Sequence, residues 1–129
     1  MLLDVALPFV KEMLQEEREF IPFGAQLTPA LKSSLVHGDV GVETPKSNGV
    51  IGFLAAHFYE EARANNIVAA AICFMGTTNG KDVAVFRMSH ADGASIDVFL
   101  PYEIKAVGDH EFGSIFTSQG TRNFLRAAH

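Results

Sequence analysis

The chain has 129 residues, 48% of them hydrophobic and 19% charged, and its formal net charge is −5. This size and composition are typical of one globular domain, residues 1–129, and exclude a disordered chain. The acidic balance argues against a nucleic-acid partner, and the single cysteine excludes an intramolecular disulfide and a zinc site built from cysteines.

No apolar run in the sequence approaches the length of a membrane-spanning helix. The first ten residues also lack the basic start of a signal peptide. We therefore expect a cytoplasmic protein without a membrane partner.

Residues Leu3–Glu19 have the periodicity of an amphipathic helix, with apolar side chains at Leu3, Leu7, Val10 and Leu14. Pro8 complicates its start, because proline fits the first turn of a helix and clashes in the interior. The favoured interpretation is a regular helix from about Leu7. The alternative is that Asp4 caps the helix and Pro8 ends its first turn.

Two strands are predicted next, at Phe20–Leu27 and at Leu35–Val42. Pro22 cannot donate a hydrogen bond to a neighbouring strand, so the first strand lies at a sheet edge or begins at Pro22. A second helix is predicted after these strands, with Asn48 as its N-cap and its end at Asn65-Asn66.

The next segment predicts an antiparallel meander. Ile67–Met75 is nearly all apolar and is typical of a central strand buried on both faces. Asn79-Gly80 and Asp92-Gly93 are tight-turn pairs, and they separate it from return strands at Val83–His90 and Ser95–Tyr102.

Two alternatives stay open for the tail: Phe112, Ile115 and Phe116 favour a short turn or strand, and Asn123–Ala128 a last strand or a short helix. The order α-β-β-α-β-β-β predicts an α+β fold in which helices pack on a five-stranded, mainly antiparallel sheet. The expected core comprises Phe9, Phe23, Phe53, Phe58, Ile72, Phe74, Val85, Ile96, Val98 and Leu100. Cys73 is also expected there as an unreactive side chain.

Two features carry a resemblance to known proteins. Phe20–Gly24 reads Phe-Ile-Pro-Phe-Gly, and Leu100–Tyr102 reads Leu-Pro-Tyr. The chain thereby resembles a group of small uncharacterised bacterial proteins that pair a Phe-x-Pro-Phe-Gly segment with a later Leu-Pro-Tyr. The order of elements is also similar to that of roadblock and profilin-like domains. The resemblance implies a bacterial, cytoplasmic protein and brings no catalytic residues with it.

Two sets of residues are candidate sites. His90, Asp92, His110 and Glu111 would form a metal site if the tail folded back on the meander, because metal ligands must converge. Phe23, Gly24, Phe58 and Tyr102 would line a pocket between the second helix and the sheet. The simpler interpretations are surface histidines for the first set and core packing for the second.

Three functions follow from these observations. We expect a non-enzymatic interaction or accessory protein that acts as a homodimer, because an edge strand near Phe20 offers unpaired backbone groups. The first alternative is a small-molecule-binding module that uses the predicted pocket. The second is a metal-dependent enzyme that uses His90 and His110. No cofactor and no catalytic residue is predicted, and a further protein partner would fit the size and acidity.

Overall fold

The computed structural model describes residues 2–17, 22–37, 47–106, 109–120 and 123–125. This part of the chain contains, in order, α1 (Leu2–Glu17), β1 (Phe23–Leu27), β2 (Ser33–His37), α2 (Ser47–Arg63), β3 (Ala69–Thr78), β4 (Lys81–His90), β5 (Ser95–Ala106), β6 (Asp109–Phe112) and β7 (Phe116–Gln119). The predicted α+β class is confirmed. Neither described helix has both the length and the hydropathy that crossing a bilayer requires.

The strands form one open antiparallel sheet in the order β2-β1-β3-β4-β5-β6. The short β7 also pairs with β5. The described sheet is therefore six strands wide, and the prediction of five was wrong. The reason is that β5 extends beyond Tyr102 to Ala106, so its outer edge has room for β7 beside its first half and β6 beside its second half.

The two helices cover opposite faces of the sheet. Side chains alternate between faces along a strand, and β3 shows the result: Ala71 and Cys73 pack in the core beneath α1, whereas Ala70 and Ile72 pack beneath α2. The small alanine side chains of this central strand allow both helices to approach the sheet closely. We call these two surfaces the α1 face and the α2 face.

The first helix starts earlier than expected. It begins at Leu2 rather than near Leu7, so Pro8 lies inside it. Pro8 points to solvent, and the helix packs through the opposite face, where Ala6 and Val10 are fully buried. Burial of that face stabilises the turns on both sides of the proline against the loss of one backbone hydrogen bond.

The first strand is an interior strand that begins at Phe23, directly after Pro22. Of the two alternatives predicted for it, the edge position was wrong and the start at Pro22 was within one residue. A tight turn holds the Leu31 N–H 2.8 Å from the Thr28 carbonyl, and β2 returns alongside β1. Pro22 directly precedes β1, where its missing N–H costs no ladder bond. Phe20 and the second half of the strand predicted at Leu35–Val42 lie outside the described residues.

The end of the second helix and the first turn of the meander agree with the prediction, whereas the start of the helix does not. The helix begins at Ser47, so Asn48 is not its N-cap. Asn65 ends it with a φ of 61°, the left-handed conformation expected there. Asn79 and Gly80 both have positive φ, as a tight turn between twisted strands requires.

Most of the expected core is buried. Phe9 and Phe74 are only partly buried, and Phe53 and Ile96 are exposed over 45% and 39% of their surface. Phe53 lies on the outer side of α2, and Ile96 lies on the α1 face at the start of β5, beside a groove. Cys73 is fully buried, as expected, and burial raises the pKa of its thiol far above the ordinary value.

Candidate functional site

The structure does not bring the four candidate metal ligands together. His90 ends β4 and Asp92 lies in the turn that follows. The backbone of His110 pairs with Ile104, near the far end of β5, and Glu111 is its neighbour in β6. At the usual rise of a strand, roughly 30 Å of β5 separates the two pairs. The side chains of His110 and Glu111 lie outside the described part.

His90 takes part in the local structure of its turn. Its Nδ1 accepts a hydrogen bond from the Asp92 N–H at 3.0 Å, and the Asp92 carboxylate accepts one from the Ala94 N–H at 2.9 Å. The Asn123 amide donates to the carbonyls of His90 and Ala94 at 2.8 and 3.1 Å, so the tail does fold back on this turn. Among the described residues, no three His, Cys, Asp or Glu side chains are placed to share a metal ion.

The four candidate pocket residues lie on both faces of the sheet. Phe23 and Tyr102 belong to the α1 face, where the Phe23 ring packs edge-on against Phe9 with centroids 4.8 Å apart. Gly24 lies on the α2 face, directly beneath the fully buried ring of Phe58. The contact between ring and glycine fills the space in which a pocket was expected, so these residues do not surround one cavity.

Two open cavities lie elsewhere in the described structure. The first has a volume of about 520 Å³ and is bordered by the β3–β4 turn, β5 and β6, with Tyr102 in its lining. The second, of about 500 Å³, lies on the α1 face between the first turn of α1 and the β4–β5 end of the sheet. We call it the apolar groove, and its lining includes Leu2, Leu27, Met88 and Ile96.

An ion pair occupies the part of the α2 face beyond the helix. Arg87 and Asp97 are direct cross-strand neighbours, and the Arg87 Nε lies 3.5 Å from an Asp97 carboxylate oxygen. The guanidinium also lies 5.2 Å from the centroid of the Phe74 ring. The Asp97 side chain is only 8% exposed, and the facing Nε and Oδ1 atoms make no hydrogen bond of good geometry. A shift in the register of β4 against β5 would leave the buried Asp97 carboxylate without its partner, so this pair favours the observed register.

Strand β7 lies at the outer edge of the first half of β5, and its own outer edge pairs with no described strand. All four β7 side chains are exposed, and none carries a charge. Phe116 begins β7 and Ile115 precedes it, and the two residues expose 43% and 42% of their surface. Phe116 stacks on Phe99 of β5 with ring centroids 4.9 Å apart, so it is held in place rather than free.

Hydrogen bonding to β5 determines which backbone groups of β7 face outward. The Gly120 N–H donates to the Ser95 carbonyl at 3.2 Å. In an antiparallel ladder, successive residues direct their N–H and C=O groups to alternate sides. Ser118 therefore faces β5, whereas Thr117 and Gln119 direct theirs away from the sheet. Within the described chain these outward groups meet no other strand.

The other outer strands are better protected against pairing. The outer strand β6 contains Asp109 and Glu111, and charged residues on an edge discourage strand addition. Strand β2 carries partly buried side chains, and the ring centroid of its His37 lies 5.9 Å from that of Phe9 in α1. The uncharged edge of β7 is thus the best candidate for a contact with another chain.

Comparison of the chain with family models, with curated proteins and with solved structures finds no match. The resemblance to a group of small bacterial proteins therefore stays a prediction. The candidate site has to be interpreted from its own geometry.

The sequence predicts a short turn or strand at Phe112, Ile115 and Phe116, and the structure places strand β7 from Phe116 onward. The sequence does contain a pattern typical of a strand between two turns, because a short segment with β-forming residues lies between Gly113 and Gly120. The edge position of β7 follows from its pairing with β5, and no pattern of neighbouring residues predicts that pairing.

Proposed function

We propose that this protein is a small non-enzymatic interaction or accessory protein that acts as a homodimer. The observation that supports it is the exposed, uncharged edge of β7, with Ile115 and Phe116 beside it. Edges of this kind bind other strands, since main-chain hydrogen bonds supply affinity and adjacent apolar side chains add burial. The bacterial source and cytoplasmic location implied by the resemblance are part of this proposal.

The solution mass tests this proposal. Light scattering on the purified full chain, over a series of concentrations, is expected to give a species of twice the 14.0 kDa of one chain. The fraction of this species should rise with concentration, as mass action requires. A uniform monomer throughout the series would contradict the homodimer.

The apolar groove supports a second candidate function, binding of a small molecule. Its volume of about 500 Å³ falls within the usual range for ligand sites, and its lining is almost wholly apolar. A fluorescent apolar probe, anilinonaphthalene sulfonate, is expected to bind the native protein and to lose this binding in Ala94→Trp, which fills the groove. Ala56→Trp, on the exposed side of α2, is the matched control. Equal binding by both variants would exclude the groove.

A further inference from the structure

We infer that β7 pairs with β7 of a second copy of this chain, antiparallel and about a two-fold axis at Ser118. This inference rests on the proposed homodimer and adds its interface. In this register, Thr117 lies opposite Gln119 of the second copy on each side of the axis. The outward N–H and C=O groups of both residues then gain partners, and the two sheets become one continuous sheet.

The side chains of β7 fit this register. A two-fold axis perpendicular to the sheet keeps the α2 faces of both copies on the same side, and it places Phe116 opposite Gly120 of the second copy. A glycine leaves room for the ring, and an aromatic side chain across from a glycine is a stabilising cross-strand pair. The Phe116 ring is already oriented by its stack on Phe99.

Gly120 is constrained within its own chain as well. A Cβ added to it would lie 2.8 Å from the Ser95 Cβ and 2.9 Å from the Ser95 carbonyl carbon. The position is thus limited to glycine by the close approach of β5. The same absence of a side chain gives the ring of the second copy its space.

Charge favours a second copy at this edge over one at β6. Each chain has a net charge of −5, so two copies repel each other in general. The β7 edge carries no charged side chain, whereas antiparallel pairing of two β6 strands about His110 would place Asp109 opposite Glu111 of the second copy. Strand pairing at β7 brings backbone dipoles and apolar groups together without opposing like charges.

A cysteine substitution on the axis tests the register. In this arrangement the two Ser118 residues form a non-hydrogen-bonded pair with Cα atoms about 4.5 Å apart, within the range that a disulfide spans. Ser118→Cys is expected to form a covalent dimer under mild oxidation, seen on a non-reducing gel. The native Cys73 is fully buried and does not compete.

The matched control is Ser34→Cys, an exposed serine on the outer strand at the other side of the sheet. It is expected to stay monomeric on the same gel. Two results would overturn the β7 interface and leave the homodimer intact. The first is a covalent dimer of Ser34→Cys without one of Ser118→Cys. The second is no covalent dimer of either variant while light scattering shows a dimer. A monomeric native chain would overturn both.

A second variant removes an outward hydrogen bond without touching the fold. Thr117→Pro deletes an N–H that points away from β5, a position at which edge strands tolerate proline. Its dimer is expected to dissociate at least tenfold more readily, whereas Thr117→Val, which keeps the backbone, should match the native chain. Equal dimerisation of the proline variant, with a native circular dichroism spectrum, would contradict the interface.

Discussion

Gly24 shows how one residue of the sheet is determined by a residue of a helix. A Cβ added to Gly24 would come within 2.6 Å of the Phe58 Cε2 atom and 3.3 Å of the Ala71 carbonyl oxygen. The backbone of β1 and the ring of α2 therefore touch directly. Neither can move away, because β1 is held between β2 and β3 and Phe58 is fully buried.

Gly24→Ala is expected to lower the free energy of unfolding by about 1–3 kcal/mol, the usual cost of overpacking a core. Chemical denaturation followed by circular dichroism would measure it. In a Phe58→Leu background the smaller side chain leaves room, so the cost of Gly24→Ala should shrink. An equal loss in both backgrounds would show that the contact between glycine and ring is not the cause.

The Cys73 thiol gives the protein a pH-dependent stability on the alkaline side. Burial raises the pKa of this thiol, so the folded chain holds the proton while the unfolded chain releases it above about pH 8.5. The unfolded state then binds fewer protons than the folded state, and stability falls as the pH rises. Below that pH the thiol is neutral in both states and has no such effect.

We expect this group to cost about 1.6 kcal/mol between pH 8.5 and pH 10, because the slope rises from about half of 1.4 kcal/mol per pH unit at the unfolded pKa to nearly the full value above it. Denaturation curves at several pH values, compared between the native chain and Cys73→Ala, isolate the effect from other titrating groups. The alanine variant should be less stable at neutral pH because of the cavity it creates. A difference between the two proteins that stays constant with pH would refute the assignment.

At the scale of elements, α2 has two faces of different character. Its inner face carries Val50, Leu54 and Phe58, all fully buried. Its outer face carries Gly52 with no neighbouring atom within 4 Å of where a Cβ would lie. The outer glycine adds flexibility to the unfolded chain without filling any space in the folded one.

Gly52→Ala is therefore expected to stabilise the protein by about 0.4–1 kcal/mol, because alanine restricts the unfolded chain and favours the helix. Thermal unfolding would show a higher midpoint. The opposite signs predicted for Gly24→Ala and Gly52→Ala make the pair a direct comparison of a crowded and an open glycine. A destabilised Gly52→Ala would show that something covers this side of α2.

The elements that could be predicted are those that depend on the conformational preferences of residues close together in the sequence. The turn at Asn79-Gly80 and the helix end at Asn65 depend on residues that adopt positive φ at little cost, so neighbours in sequence suffice. The position of β1 depends instead on pairing with β2 and β3, and β3 lies beyond a whole helix. Proline cannot donate a hydrogen bond to a neighbouring strand, so Pro22 suggested an edge position. The strand instead begins at the next residue, Phe23.

At the scale of the molecule, the proposed dimer makes a prediction about amide exchange along one strand. Thr117 and Gln119 direct their N–H groups outward, and Ser118 directs its own toward β5. At concentrations where light scattering shows a dimer, all three amides should exchange slowly with solvent. On dilution to the monomer, Thr117 and Gln119 should lose protection while Ser118 keeps it.

Hydrogen exchange measured by NMR at two concentrations checks this outcome. Ser118 is the internal control, since it lies between the two test residues and is exposed as they are. If the protection of Thr117 does not change while the mass doubles, the dimer uses another surface. The exposed Phe53 on α2 would then be the next residue to substitute.

The sequence by itself determined the α+β class, the central buried strand, the tight turns of the meander and the burial of Cys73, because each depends on composition, periodicity or neighbouring residues. The tertiary structure decided which strands lie at the edges, how Gly24 contacts Phe58, and that His90 of β4 and His110 of β6 lie beside opposite ends of β5. These are properties of segments that are distant in sequence. Strand pairing and packing between faces bring such segments together, and no local pattern records the result.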